Sequence, residues 1–398
     1  MKRFEAANHR KLRPTKLSSK EVPHAVIESN YTCNRRCRFC YVRSRDGVKL
    51  LGQIKSEIDL ALTLRNIETL SILGGEPTLH PDLVEIVRYI KGKNVVCQIL
   101  SNGVRLMKPG GDLLLDGLIR AGLDRIVLHV DNGQGLTPVE VDRMRNALFA
   151  KFEERKLSFG MTVAITDEEL NKIPEIMQHY AHFRYFDGIL ATIARSEEAI
   201  AGGVNHANGS PELLDVYTGI QRGLRIEPSS YIPSNLDDEE MRWLVYFYYY
   251  NFRTKTSVSI SPAFGRLMRR GYRLITGRNL FACRVNPSFS KFWFLFTLVA
   301  ETFLAPSSVP LYVRVAKESH GLRDIRFHSI TLQSLARLNV QKQRLEICYH
   351  CPDATIRDGK LVPVCIADWL RPRIGQPLQT QDNDQAAEIK TALAEEAI

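Results

Sequence analysis

The sequence has no run of about 18 consecutive apolar residues, so no helix in it is expected to cross a bilayer. Its first residues, MKRFEAANHRKLRPTK, carry charge and no apolar h-region, which argues against a secretory signal. Cysteine is sparse, eight in 398 residues, and badly placed for a disulfide framework. Three of the eight, Cys33, Cys37 and Cys40, crowd into the stretch YTCNRRCRFCYV, and three thiols cannot make two pairs. A cytosolic chain keeps its thiols reduced, so these are read as ligands or buried residues. No internal repeat is visible beyond a strand–helix alternation, and no known RNA-binding module is appended.

What is present suits one large domain and a smaller one, with enough apolar residues (44%) for a sizeable core. The formal net charge of +10 favours anionic partners such as nucleic acid, phosphorylated metabolites or lipid headgroups. Six cysteines form two groups, Cys33, Cys37, Cys40 and Cys348, Cys351, Cys365. Cys283 stands alone, as does Cys97, which lies in the apolar run VVCQIL and is expected in the core.

The first half alternates regularly. Strands are read at 25–29, 68–73, 94–100, 124–130, 157–166 and 186–194. Helices are read between them at 56–65 (capped by Ser56), 82–92, 113–122, 138–156 and 167–181. Six apolar strands separated by helices predict parallel βαβ units, as a barrel or an open sheet, with chemistry on the loops after strand C-terminal ends. The unusual residues fall there. Cys33, Cys37 and Cys40 follow the first strand, Gly74-Gly75-Glu76-Pro77 the second, and Ser101-Asn102-Gly103 the third. His129 and Asp131 close the fourth and Thr166 the fifth.

Thiolates suit soft and borderline metals, and three on one loop fall short of a closed four-ligand zinc site. They suffice for a [4Fe–4S] cube with one open iron. The cysteines alone leave zinc, a cluster and no ligand all open. Bland readings also exist for the other rim residues: a turn for SNG, a cap for Thr166, a satisfied loop acid for Asp131, and a hydrogen-bonded core residue for His129.

Cys33-x3-Cys37-x2-Cys40 after strand one, followed by GGEP after strand two, closely resembles the radical S-adenosylmethionine (radical SAM) superfamily. The resemblance covers roughly residues 24–195 and implies an α/β fold, a partial (β/α)6 TIM-like barrel. It implies that Cys33, Cys37 and Cys40 hold a [4Fe–4S] cluster whose fourth iron is chelated by SAM, and that reductive cleavage gives a 5′-deoxyadenosyl radical. Phe39 would lie against the adenine, and Gly74, Gly75, Glu76 and Pro77 would serve the methionine end. Ser101, Asn102, Asp131 and Thr166 become SAM contacts by strand position. A reductant such as flavodoxin or ferredoxin is implied, and so is a covering segment that shields the radical. Only about 23 residues precede the first strand, so neither a peptide-recognition nor a cobalamin domain is expected there.

Cys348-x2-Cys351, then a hairpin turning at Asp358-Gly359 and returning Cys365, is a metal-site layout. It resembles the SPASM and twitch extensions of radical SAM enzymes, which implies one auxiliary [4Fe–4S] cluster with Cys283 or His350 as a further ligand; a structural zinc site is the alternative. The expected organisation is a basic arm (1–23), the barrel (24–200), a helical and aromatic substrate-covering region (201–335), an auxiliary module (336–372) and a polar tail (373–398). The runs WLVYFYYYNF and FWFLFTLVA, beside five arginines between 264 and 278 without an acid, suggest an amphiphilic substrate such as a lipid or polyprenyl phosphate. A modified peptide is the alternative, RNA a third, and an iron–sulfur electron carrier or scaffold the non-enzymatic rival. The expected location is cytoplasmic, with peripheral attachment to a membrane surface through the same runs.

Overall fold

The computed structural model describes residues 12–37, 40, 42, 47–131, 134–166, 169–193, 213–235, 237–238, 240–281, 290–339 and 344–370. Phe39, Cys283, the 202–212 loop and the 373–398 tail lie outside them. Six strands, β1 (His24–Asn30), β2 (Thr69–Gly74), β3 (Val96–Ser101), β4 (Arg125–Leu128), β5 (Ser158–Ile165) and β6 (Phe186–Ile193), pair in sequence order, every pair parallel. Helices α1 (Leu51–Leu64), α2 (Leu83–Gly92), α3 (Gly111–Arg120), α4 (Pro138–Glu154) and α5 (Lys172–Tyr180) alternate with them from β1 to β6. The helical period carries this layer. Leu83, Ile86, Val87 and Ile90 of α2 are all buried, each contributing about 2 kcal/mol by leaving water. Cys97 sits in this core, fully buried.

Two helix starts differ from the sequence reading. Helix α1 begins at Leu51, because its buried face is Ile54, Ile58 and Ala61. Ser56 is therefore inside the helix, its hydroxyl donating back to the Gly52 carbonyl at 3.0 Å. Helix α5 begins at Lys172, with the acids before it.

The second half extends the same sheet. After α6 (Leu213–Leu224) come β7 (Ser230–Pro233), β8 (Met241–Asn251) and β9 (Thr256–Ser259). Helices α7 (Pro262–Thr276), α8 (Ser290–Leu304) and α9 (Val309–Lys317) follow, then β10 (Ile325–Gln333). Strand β10 adds parallel to β6, and β8 pairs antiparallel to β10 and to β7. The aromatic run is thus a strand. Tyr246, Tyr248 and Tyr250 pack into the main core, while Tyr249 packs with Phe294 and Tyr312 under α8 and α9. The apolar run FWFLFTLVA is α8, and no helix among the described residues is long and apolar enough to cross a membrane.

The sheet stays open between β7 and β1, and two segments cross that seam. Pro14 bridges Tyr231, and Thr15 N donates to the Tyr231 carbonyl at 2.7 Å. The arm then runs to β1, passing Lys20, whose carbonyl accepts from Asn66 N. The second segment is the Cys348–Cys351 knuckle. Asn235 N donates to Ile347 O and Tyr349 N to Pro233 O just past β7. His24, first residue of β1, meets the Pro352 carbonyl at 3.0 Å. The hairpin β11 (Ala354–Arg357) and β12 (Lys360–Pro363) turns where expected, Asp358 and Gly359 both adopting positive φ. Its Arg357 pairs with buried Glu28 of β1.

Candidate active site

A cavity of about 360 Å³ is lined by residues of the sheet strands and of the loops that follow them. Cys33, Cys37 and Cys40 line it, together with Gly74, Gly75 and Glu76 after β2 and Ser101 and Asn102 at the end of β3. His129 lines it too, its pKa lowered by burial against the opposing pull of Asp131. Asp131 and Thr166 are not among the lining residues. Asp131 accepts from Lys172 Nζ at 2.6 Å and from Ala164 N at 3.0 Å. Burial alone would raise its pKa, but the Lys172 charge holds it below the ordinary value. Thr166 Oγ1 donates to Glu169 at 3.0 Å.

Buried Glu76 organises the rim. Its Oε1 accepts from Ser101 Oγ at 2.7 Å, Thr78 Oγ1 at 2.5 Å and Thr78 N at 3.1 Å, while Oε2 accepts from Asn102 N at 2.7 Å. Burial raises its pKa and these four donors oppose that. The carboxylate therefore ties the loop after β2 to the loop after β3. Asn102 extends the tie to the cysteine loop, its Nδ2 donating to Asn34 Oδ1 at 2.7 Å and reaching Cys33 Sγ at 3.8 Å. The two glycines are required by the backbone of that loop. A Cβ on Gly75 would stand 2.3 Å from the carbonyl oxygens of Tyr31 and Thr32, and one on Gly74 2.2 Å from that of Asn30. Gly75 N and Glu76 N donate to Asn30 O and Thr32 O, stitching the β2 loop to the cysteine loop.

None of the three thiols is in a disulfide, but among the described residues no three candidate ligands stand gathered as a ready metal site. The surroundings nonetheless fit a bound group. Thr162 Oγ1 and Gln134 Oε1 both belong to cavity-lining residues, and each is buried with no hydrogen-bond partner among the described residues. Buried polar atoms left this way cost stability unless a ligand or water completes them.

The second cysteine group borders the same cavity. Cys365, Tyr349 and His350 line it. Cys348 and Cys351 lie behind, buried against Trp243, whose Nε1 donates to Cys348 Sγ at 2.8 Å. The two thiols share a hydrogen bond, which lowers the pKa of Cys348 and raises that of Cys351; nearby Cys365 pushes Cys351 further up. The base of the cavity is polar. Gln98, Arg125 and Asp187 form one network there, with Arg125 Nε donating to Asp187 at 2.7 Å. Arg269 of α7 enters from the same end, and its one hydrogen bond among the described residues goes to Ser230 Oγ at 3.4 Å. Sequence reading singled Arg269 out only as one of five arginines, and Trp243, Gln134 and Thr162 carried no signal.

Residues 27–156, which include the cysteine loop and the Gly-Gly-Glu-Pro turn, match the family model of the Radical SAM superfamily. The match places this segment, about a third of the chain, in the radical SAM superfamily. Among curated relatives, a probable GTP 3′,8-cyclase of Thermoplasma volcanium is 30% identical over 183 residues, 41% of this chain and 52% of that protein. The subtilosin biosynthesis protein AlbA of Bacillus subtilis is 27% identical over 154 residues, 37% of this chain and 31% of its own. An S-adenosylmethionine-dependent nucleotide dehydratase of Flammeovirga pacifica is 28% identical over 123 residues, 29% and 41%. The chain thus spans from 31% to 52% of the length of these relatives. Streptococcus suis SuiB bound to its precursor peptide overlaps 45% of this chain and 40% of its own at 18% identity, with a TM-score of 0.36. Radical SAM enzymes use a [4Fe–4S] cluster and SAM, and such clusters take thiolate donors; Cys33, Cys37 and Cys40 of this chain face the cavity.

Proposed function

We propose that the chain is a radical SAM enzyme acting on a substrate with an apolar body and an anionic group. Cys33, Cys37 and Cys40 would hold the cluster, and Glu76, Ser101 and Asn102 would position the loops around SAM. Held there, a cluster with SAM would supply reductive one-electron chemistry. The protein's own part is to bind, orient and exclude water. One observation carries the reading: the three thiols and the Glu76–Ser101–Asn102 tie open into a single cavity that the arm and the knuckle cover. Walls such as Leu73, Val127, Ile189 and Phe247 are apolar, and Arg269 at the base has no acidic partner among the described residues. Burial and the charge of Arg266 push its pKa down, a cost that a substrate anion would offset.

Cys348, Cys351 and Cys365 would hold an auxiliary cluster at the cavity wall. A peptide substrate is the second reading, favoured by the likeness to AlbA. An external reductant such as flavodoxin or ferredoxin would supply the electron.

The test is formation of 5′-deoxyadenosine by anaerobically reconstituted, dithionite-reduced protein, alone and with a lipid extract, a peptide pool or nucleoside triphosphates. Formation that requires Cys33, Cys37 and Cys40 supports the chemistry, and stimulation by one fraction assigns the substrate class. Protein that carries its cluster but forms none overturns the reading.

A further inference from the structure

Eleven of the sixteen large hydrophobic residues exposed among the described residues lie in α7, α8 and α9. On α8 they form a stripe at helical spacing: Phe292, Leu295, Phe296, Val299 and Phe303, the last 83% exposed. Leu274 and Ile275 at the end of α7 are 86% and 87% exposed. The three helices pack on one another and on β8 and β10 through Phe264, Phe294, Tyr312 and Val315, so the outward stripe is surplus to that core.

The exposed charges that the three helices themselves carry have one sign. Helices α7 and α9 contain no acid, and the single acid of α8, Glu301, is buried, accepting from Ser261 N at 2.8 Å. Arg273 and Arg314 are paired with Glu21 and Glu318. Exposed Arg270, Lys291 and Lys317 have no acidic partner among the described residues. Large apolar side chains flanked by unopposed cations are what an anionic bilayer surface selects: apolar groups enter the acyl boundary while cations meet the headgroups. A protein partner would more commonly be met with charges of both signs at the rim. Fifteen residues of α8 are too few to span a bilayer, so the helix lies in the interface.

We infer that α7, α8 and α9 form a membrane-docking face that seats the protein on an anionic bilayer. Helix α7 then joins two places. Its outer side presents Arg270, Leu274 and Ile275 to the lipid, and its inner side presents Arg269 to the cavity base. The surface argument stands apart from the chemistry of the site; only the step from lipid surface to cavity rests on the proposed substrate class.

The experiment is flotation of the full chain with phosphatidylcholine vesicles, with and without phosphatidylglycerol. Binding on the order of tenfold stronger to the anionic vesicles, weakened by salt, is expected. Phe292→Glu with Phe303→Glu should abolish it, and Arg270→Glu with Lys291→Glu should remove the preference for anionic lipid. Both pairs are exposed and none of the four residues lines the cavity, so unchanged circular dichroism and 5′-deoxyadenosine formation would show an intact protein. Failure of the parent chain to float with either vesicle, or flotation of the Phe292→Glu, Phe303→Glu variant like the parent, overturns the inference. A concentration-dependent dimer abolished by the same substitutions, without vesicle binding, overturns it in favour of a second copy on this face. Vesicle binding needs no cluster, so its outcome is separate from that of the SAM-cleavage assay.

Discussion

Arg65, the residue that ends α1, donates from Nη2 to the carbonyl oxygen of Cys351 across 3.0 Å. Its Nη1 donates to the His24 carbonyl at 2.6 Å and reaches that of Pro352 at 3.4 Å. One buried guanidinium thus fixes the start of β1 and the second cysteine group together. Burial pushes its pKa down to about 10 against the pull of Cys351 and Asp353, so it stays charged at neutral pH.

Arg65→Met should therefore leave buried carbonyls without donors, at a cost of about 1–3 kcal/mol for each group left unsatisfied. The urea midpoint should fall. Iron bound by the second group should fall with it, while SAM cleavage at the first persists. Equal loss of iron from both groups would contradict this placement.

Cys37→Ala should abolish 5′-deoxyadenosine formation. Cys351→Ala should lower iron content yet leave substrate-independent SAM cleavage, because Cys351 lies buried behind the cavity, on a different segment from the loop that carries Cys33, Cys37 and Cys40. Iron quantitation and Mössbauer spectra of the two variants separate these outcomes.

Gly75→Ala should damage the cysteine loop, since its Cβ would stand 2.3 Å from two backbone carbonyl oxygens that belong to the loop itself. We expect a drop of several degrees in Tm and poor cluster incorporation. An alanine at Gly52, where nothing lies within 4 Å, should be harmless and is the control.

Lys172→Met isolates buried Asp131. In the parent chain Lys172 holds the carboxyl below its ordinary 3.8, so the pair's stabilisation is present at neutral pH and is lost as pH falls through the folded-state value. Without Lys172 burial dominates and the sign reverses. The folded chain then holds the proton more tightly than the unfolded one, and stability falls as pH rises. Thermal melts should show a cost of about 3 kcal/mol at pH 7 that shrinks on acidification; a cost that does not change with pH would refute the assignment.

The βα half was legible because its determinants are local. Four apolar residues of α2 recur at helical spacing, and Asp358-Gly359 between short β-runs specifies a two-residue turn. The rim was legible because strand ends in parallel sheets gather on one side. Which rim residues face the cavity was not. Asp131 and Thr166 end the right strands, but Lys172 and Glu169, brought close by the next helix, engage them. The pairing of β10 with β6 left no mark in IRFHSITLQ, whose partner is set by distant chain, and the buried pair Glu28–Arg357 joins residues far apart in sequence. Arg269 looked like one cation of a solvated helix face until the cavity showed where it points.

The pairing of β10 with β6 has a consequence during synthesis. About 140 residues separate the end of β6 from the end of β10, and a ribosome adding ~5–20 residues per second needs roughly seven to thirty seconds to make them. Through that interval the nascent sheet ends at β6, an eight-residue strand with an unpaired edge. Such edges recruit other chains. Output of correctly folded protein should then depend on how crowded neighbouring ribosomes are and on whether a holdase covers β6 before Ile325–Gln333 emerges.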